Sequence, residues 1–185
     1  MSQFLNIQED GPIVTLTMNE PETRNALTGN TAADEFVSIC NQIDSNKKIK
    51  AVIITGSGTV FSAGGNLKDM KKMLDDDLSS EVIRESYRQG IQRIPLALYN
   101  LEVPTIAAVN GPAIGAGCDL ACMCDMRIGS HNASFAESFV KVGIIPGDGG
   151  SWFLPRVVGM SKAAEMSFTG DRVDAEEALK IGLIS

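Results

Sequence analysis

Two junctions constrain this chain more than anything else in it. The apolar run Ala51-Val52-Ile53-Ile54-Thr55 reads as a buried strand, and it leads into Phe61-Ser62-Ala63-Gly64-Gly65-Asn66-Leu67-Lys68-Asp69-Met70. The run Thr105-Ile106-Ala107-Ala108-Val109 leads in the same way into Asn110-Gly111-Pro112-Ala113-Ile114-Gly115-Ala116-Gly117-Cys118-Asp119. Each passage from strand through turn to helix is nearly free of bulky side chains. Backbone N–H groups at both can therefore come close to a ligand. One carbonyl oxygen held by two such groups is an oxyanion hole. For either loop alone, an ordinary tight turn is the competing reading.

The 185 residues are enough for one domain with a sizeable core, and the expectation is a single core domain over 1–185. A formal net charge of −7 argues against a nucleic-acid partner, because phosphate binding needs clustered positive charge. No apolar run approaches membrane-spanning length, so no membrane partner is expected. The first residues, Met1-Ser2-Gln3-Phe4-Leu5-Asn6, lack the basic and apolar regions of a secretory signal. Cys40, Cys118, Cys122 and Cys124 form no Cys-x-x-Cys pair, and His131 is the one histidine, so no metal site is expected. Buried reduced thiols fit a cytoplasmic location. His131 alone would have to carry any Ser–His–Asp triad, and a surface or hydrogen-bonded histidine is the better reading. Gly56-Ser57-Gly58-Thr59-Val60-Phe61 lacks the third glycine of a dinucleotide loop.

Residues 2–9 and 11–18 read as strands joined by the hairpin signal Asp10-Gly11. Thr28 reads as the cap of a helix with the apolar stripe Ala32, Phe36, Ile39 or Cys40, and Ile43. Helical signals resume near Leu67, break at Asp75-Asp76-Asp77 and run again from Ser79 to about Tyr99. The lysines and aspartates from Lys68 to Asp77 read as a solvated face. After the strand 105–109 come a helix from about Gly115 to Met123 and a strand from about Asp125 to Ser130. Near the end, Asp174 reads as the cap of a short helix. Strands alternating with helices predict an α/β fold with parallel β–α–β units.

The two small-residue loops together resemble the crotonase superfamily, the enoyl-CoA hydratase and isomerase proteins. Two further segments agree. Asn19-Glu20-Pro21-Glu22-Thr23-Arg24-Asn25-Ala26-Leu27-Thr28 is similar to the family's early CoA-contacting turn, and Gly143-Ile144-Ile145-Pro146-Gly147-Asp148-Gly149-Gly150 to its second active-site loop. The resemblance implies a spiral of β–β–α units, with the family's C-terminal helical segment largely missing after Ser185. It implies an acyl-CoA thioester as substrate, with coenzyme A as part of that substrate and no other cofactor, and assembly as a homo-trimer or hexamer. It places the oxyanion donors on the N–H groups of Gly65 and Ala116, the latter where the family often has glycine. It also places Arg24, Ala26, Ala63, Asn66, Leu67 and Lys68 along the CoA groove. Arg24 and Lys68 are candidates for the CoA phosphates, with plain surface cations as the alternative.

Asp119 stands where the family's hydratases carry a glutamate. Three residues after Ala116, it projects from nearly the same helix face. Proton transfer and a structural hydrogen bond are the two readings. The second hydratase glutamate is missing, because its position holds Phe139. Glu137 is two residues away, and on a helix that is a turn of about 200° onto another face. Asp148, in Pro146-Gly147-Asp148-Gly149-Gly150, is the replacement candidate, with a helix N-cap as its alternative. Three functions follow. The first is a hydratase- or isomerase-type enzyme that stabilises a thioester enolate and moves protons on Asp119 and Asp148. The second is a dehalogenase or hydrolase with Asp148 as nucleophile. The third is a non-catalytic acyl-CoA-binding protein.

Overall fold

The computed structural model describes residues 3–185. The expected hairpin is present as β1 (Leu5–Asp10) and β2 (Ile13–Met18), antiparallel, with Gly11 supplying the positive φ of the turn. Residue 2 of the expected first strand lies outside the described residues. Alternation along β2 sends Val14, Leu16 and Met18 into the core and leaves Ile13 exposed. From β2 the sheet grows by parallel pairing to β3 (Ala51–Gly56), β4 (Thr105–Val109) and β6 (Met126–Gly129), in the order β1-β2-β3-β4-β6.

Helix α1 (Ala32–Ser45) crosses over between β2 and β3, and its stripe Ala32, Phe36, Ile39, Cys40 and Ile43 is buried as expected. Its cap is not Thr28. The helix begins four residues later, Thr31 makes no capping bond, and Asn30 Oδ1 takes the Ala32 N–H at 3.0 Å instead. The Thr28 hydroxyl is committed elsewhere, accepting the Asn66 N–H at 2.8 Å.

Helices α2 (Leu67–Asp75), α3 (Ser80–Gln89) and α4 (Arg93–Tyr99) fill the span between β3 and β4. The continuous helix expected from Ser79 to Tyr99 is broken at Gly90, whose φ of −108° and ψ of −116° are not helical. Pro95 falls in the first turn of α4, where its missing N–H leaves no intrahelical bond unmade.

A second sheet was not foreseen. Strands β5 (Pro112–Ile114), β7 (Ser134–Ala136) and β8 (Val173–Asp174) pair in the order β5-β7-β8, parallel then antiparallel. Each is too short to show a period of two. An isolated bridge from Ser62 to Ala113 extends this sheet toward β3's loop. The spiral is now visible. β3 with the Ser62 bridge leads to α2. β4 and β5 lead to α5 (Ala116–Met123). β6 and β7 lead through a 3-10 turn at Ser138–Val142 to α6 (Gly150–Val158). Each unit sends one segment to each sheet and then a helix between units.

Helix α5 is buried along its whole length, as its small and apolar residues allow, and it packs against α6 and α4. Its cysteines and Cys40 are all buried with free thiols. Helices α7 (Met160–Thr169) and α8 (Ala175–Lys180) complete the chain, with Asp174 Oδ1 capping α8 at 2.9 Å from Glu177 N. Among the described residues, no helix is long and apolar enough to cross a membrane.

Candidate active site

The turn before α1 and the loop after β3 are stitched together by buried polar groups. Asn25 is fully buried with a left-handed backbone, and its Nδ2 lies 3.0 Å from Ser57 O and 2.9 Å from Val60 O. Ser62 Oγ donates to Asn25 O at 2.8 Å and accepts the Gly64 N–H at 3.1 Å. Backbone bonds from Ala63 N to Arg24 O at 2.9 Å and from Leu27 N to Gly64 O at 2.8 Å close the seam. Sequence reasoning passed over Asn25 and Ser62. Their signal was polarity inside otherwise small or apolar motifs, since buried polar groups are retained where they are hydrogen-bonded.

The loop after β3 then meets the loop after β4 backbone to backbone. Phe61 N donates to Pro112 O and Ile114 N to Ser62 O, both at 3.0 Å. Gly64 is required at this contact. Its φ is +79°, and a Cβ there would lie 2.5 Å from Ile114 O and 2.8 Å from Ala116 N. Gly65 and Ala116 both line a cavity of about 100 Å³, together with Ala63, Leu67, Met70 and Phe139. Neither the Gly65 nor the Ala116 N–H donates to any other described residue. Ala116 is the first residue of α5, where the free N–H groups and the helix dipole favour negative charge. Its φ is not among the positive ones, so alanine fits where a glycine is not needed.

The expected CoA-groove residues divide. Ala63, Gly65, Leu67 and Ala116 share the cavity. Arg24, Ala26, Asn66 and Lys68 do not line it. Arg24 is exposed and left-handed, held by the bond from Ala63 N to its carbonyl. Lys68 is exposed in the first turn of α2, which Asn66 Oδ1 caps at 3.0 Å. Neither cation is ion-paired among the described residues. His131 is exposed.

Phe139 faces this cavity. Its ring packs over Gly115, where a Cβ would lie 3.7 Å from Cζ. Glu137 does not line this cavity, and the segment is not helical at that point. It is the residue between β7 and the 3-10 turn. There Glu137 is turned inward, 1% exposed, toward Asp119. Asp119 is fully buried and Asp148 is 3% exposed. The Asp119 carboxyl rests on Gly150, where a Cβ would fall 2.0 Å from Oδ1, and it is within hydrogen-bonding reach of both Glu137 and Asp148. The sequence thus offered two candidate acids, and the structure assembles three.

Asp148 does not cap α6, because Gly149 occupies that position without a side-chain bond. Neither Asp119 oxygen takes a hydrogen bond from an N–H or hydroxyl of the described residues. Burial, followed by the neighbouring Glu137 and Asp148, raises the Asp119 carboxyl well above the ordinary carboxylate range. Burial raises Glu137 to about 6, although Asp119 and the Cys118 thiol oppose the rise. Burial raises Asp148 too, against a bond from Asp119.

Asp148 is the member that opens outward. It borders an apolar cavity of about 440 Å³ walled by Pro95, Leu96, Tyr99, Trp152 and Phe153, and Gln92 Nε2 anchors its loop by donating to Gly147 O at 2.6 Å. On another side is Tyr87, whose hydroxyl is pushed up by burial and then by Asp148's charge. Tyr87 also lines a cavity of about 330 Å³ that shares Met70 with the Gly65–Ala116 cavity. The cavity that Asp148 borders shares no lining residue with either of these two.

The architecture has close counterparts. The chain is 38% identical over 180 residues to the short-chain-enoyl-CoA hydratase of Clostridium acetobutylicum, covering 97% of this chain and 66% of that protein. It is 37% identical to the crotonyl-CoA hydratase of Syntrophomonas wolfei, again over 97% of this chain and 66% of the relative. The crystal structure of an enoyl-CoA hydratase from Bacillus anthracis superposes with a TM-score of 0.89 at 32% identity, covering 98% of this chain and 69% of that one. The chain thus spans about two thirds of the length of these relatives. The family profile described as enoyl-CoA hydratase/isomerase matches residues 8–185. With its crotonase-type fold, this chain belongs to the enoyl-CoA hydratase/isomerase family.

Proposed function

We propose that the protein acts on acyl-CoA thioesters, polarising the thioester carbonyl between the N–H groups of Gly65 and Ala116. The observation that carries this reading is that Gly65 and Ala116, whose N–H groups are unused among the described residues, line one cavity, at loops held together by backbone contacts. Such preorganised donors stabilise the negative charge that develops on the carbonyl oxygen when the neighbouring carbon gains or loses a proton. Relatives named as enoyl-CoA hydratases support the substrate class.

Asp148, the acid at the open cavity, exchanges the proton with substrate carbon, and Asp119 behind it takes up or returns that proton. Burial raises the Asp148 carboxyl, which suits a group that exchanges protons. None of the three carboxyls lines the cavity that Phe139 faces, and the three form one cluster. A single cluster suits the shuttling of a proton in double-bond migration. Hydration needs in addition a water held against the same cluster. Ala63, Asn66, Leu67 and Lys68 line the route of the CoA moiety, with Arg24 and Lys68 as the free cations for its phosphates and Ala26 in the turn beneath them. No further cofactor is required by this chemistry. A homo-trimer or hexamer is the proposed assembly, and the exposed Ile145, Met160 and Phe168 supply apolar surface for it.

The test is a panel of 2-enoyl- and 3-enoyl-CoA thioesters, followed for hydration and for 3-to-2 isomerisation. Turnover of either kind supports the reading. Tight thioester binding without turnover makes the protein an acyl-CoA binder, and no binding removes the proposal.

A further inference from the structure

Strands β2, β3, β4 and β6 pair in parallel, and parallel sheets occur with both faces covered. Among the described residues, only one face is. Val14, Leu16, Val52, Ile54 and Ala107 point inward and share a core with Phe36 of α1 and Ile94 of α4. The register fixes the other face. Thr15, Ile53, Ile106 and Met126 form one row across the four strands. Thr17, Thr55, Ala108 and Ile128 stand two residues further on, and Ile13 and Ala51 two residues before.

This outer face is apolar where an exposed one should be polar. Ile13, Met126 and Ile128 are 39%, 49% and 51% exposed. None of its apolar side chains belongs to the core or packs against it. No outward residue of the four parallel strands is charged, in a chain whose net charge is −7. On the edge strand β1 the outward residues are Asn6 and Gln8, with Asp10 at the corner. None of these residues lines a cavity described above, so the face offers a flat surface and no groove.

We propose that the outer face of the five-stranded sheet is an interface between two copies of this chain, packed sheet on sheet about a two-fold axis. A two-fold sets one patch against itself, and a flat face fits its own copy. Side chains of stacked sheets interdigitate across about 10 Å. Five strands about 4.8 Å apart, at about 3.3 Å per residue, present roughly 500 Å² on each copy and about 1,000 Å² for the pair, the least that a specific interface needs. Charge favours the same partner: two copies of an acidic chain meet here without setting like charges against each other. Asn6 and Gln8 supply a polar rim. The inference is independent of the acyl-CoA reading. It adds to the proposed assembly the face by which chains pair, and pairing selects an even number of them, a hexamer over a trimer.

The test is the mass of the 185-residue chain in solution, by sedimentation velocity. The wild type should be an even multiple of the chain mass. Met126→Lys with Ile128→Lys puts charge at two half-exposed positions, and the mass should fall two-fold with an unchanged circular dichroism spectrum. Phe168→Lys, on α7, should leave an even number of chains. A second reading needs no variant. Peroxide oxidation of Met126 in the wild type, followed by mass spectrometry, should slow several-fold as concentration rises through association. A monomer or an odd-numbered assembly, a mass that the double variant leaves unchanged, or a Met126 oxidised equally fast before and after association overturns the proposal and leaves this face to a different partner.

Discussion

The two halves of the site are built from different materials. The Gly65–Ala116 side is backbone: two loops, each following a strand of the five-stranded sheet, pressed together until only glycine fits at position 64. The acid side is made of side chains from three separate segments, α5, the residue after β7 and the loop before α6, meeting in a buried cluster that opens at Asp148. The first half depends on where the chain runs. The second depends on protons, and so on pH and on single substitutions. A backbone site tolerates side-chain changes such as alanine at 116, while a buried carboxyl cluster is altered by any one of its members.

The largest expected effect lies on the acid side. Asp148→Asn should lower turnover by about 10²–10⁴ with little change in binding, the usual worth of general acid–base catalysis. Steady-state kinetics check it, and near-normal turnover would shift the role to Asp119. On the backbone side, Ala116→Pro removes one donor at the first position of a helix, where proline is tolerated. A loss of about 10²–10³ in kcat is expected. Circular dichroism should show an intact fold. If activity survives, the site is not built from that N–H.

A smaller change sharpens the contrast between the walls. Phe139→Glu puts a carboxyl on the face that has none and should raise hydration relative to isomerisation, as measured by the ratio of 3-hydroxyacyl-CoA to migrated product. An unchanged ratio in a folded variant would show that a water cannot be held between the two walls.

The smallest effect is on stability. Glu137 has a folded pKa of about 6 against an ordinary 4.5, so the folded state binds more protons than the unfolded one between those values. A raised carboxyl contributes stability that is present below pH 4.5 and is lost as pH rises through about 6. The loss is on the order of 1–2 kcal/mol. Glu137→Gln should flatten that part of the curve of denaturant midpoint against pH, and an identical slope in both proteins would mean that Glu137 is ionised in the fold.

The same contrast explains how much could be read in advance. The long parallel strands, the α1 stripe and both small-residue loops were legible, because each is carried by a continuous stretch of apolar or small residues. The second sheet was not, since three residues of β5 or β7 show no period. Thr28 and Gly90 misled locally. A threonine before an apolar stripe is a good cap signal, but here the hydroxyl was needed by Asn66, and one glycine sufficed to split α3 from α4. Glu137 was set aside by helical spacing in a segment that proved to be a strand end. Nothing in one dimension could show that the direction it took instead led to Asp119.

The central claim is that two backbone N–H groups polarise a thioester carbonyl, and it can be observed without turnover. A saturated acyl-CoA carrying a ¹³C-labelled thioester carbonyl should be bound to the wild-type protein and to Ala116→Pro, and its carbonyl stretch measured by isotope-edited infrared difference spectroscopy. A stretch that falls to lower frequency on binding to wild type, and falls much less in Ala116→Pro, is the expected result. A carbonyl that binds with the same frequency in both proteins would contradict the account.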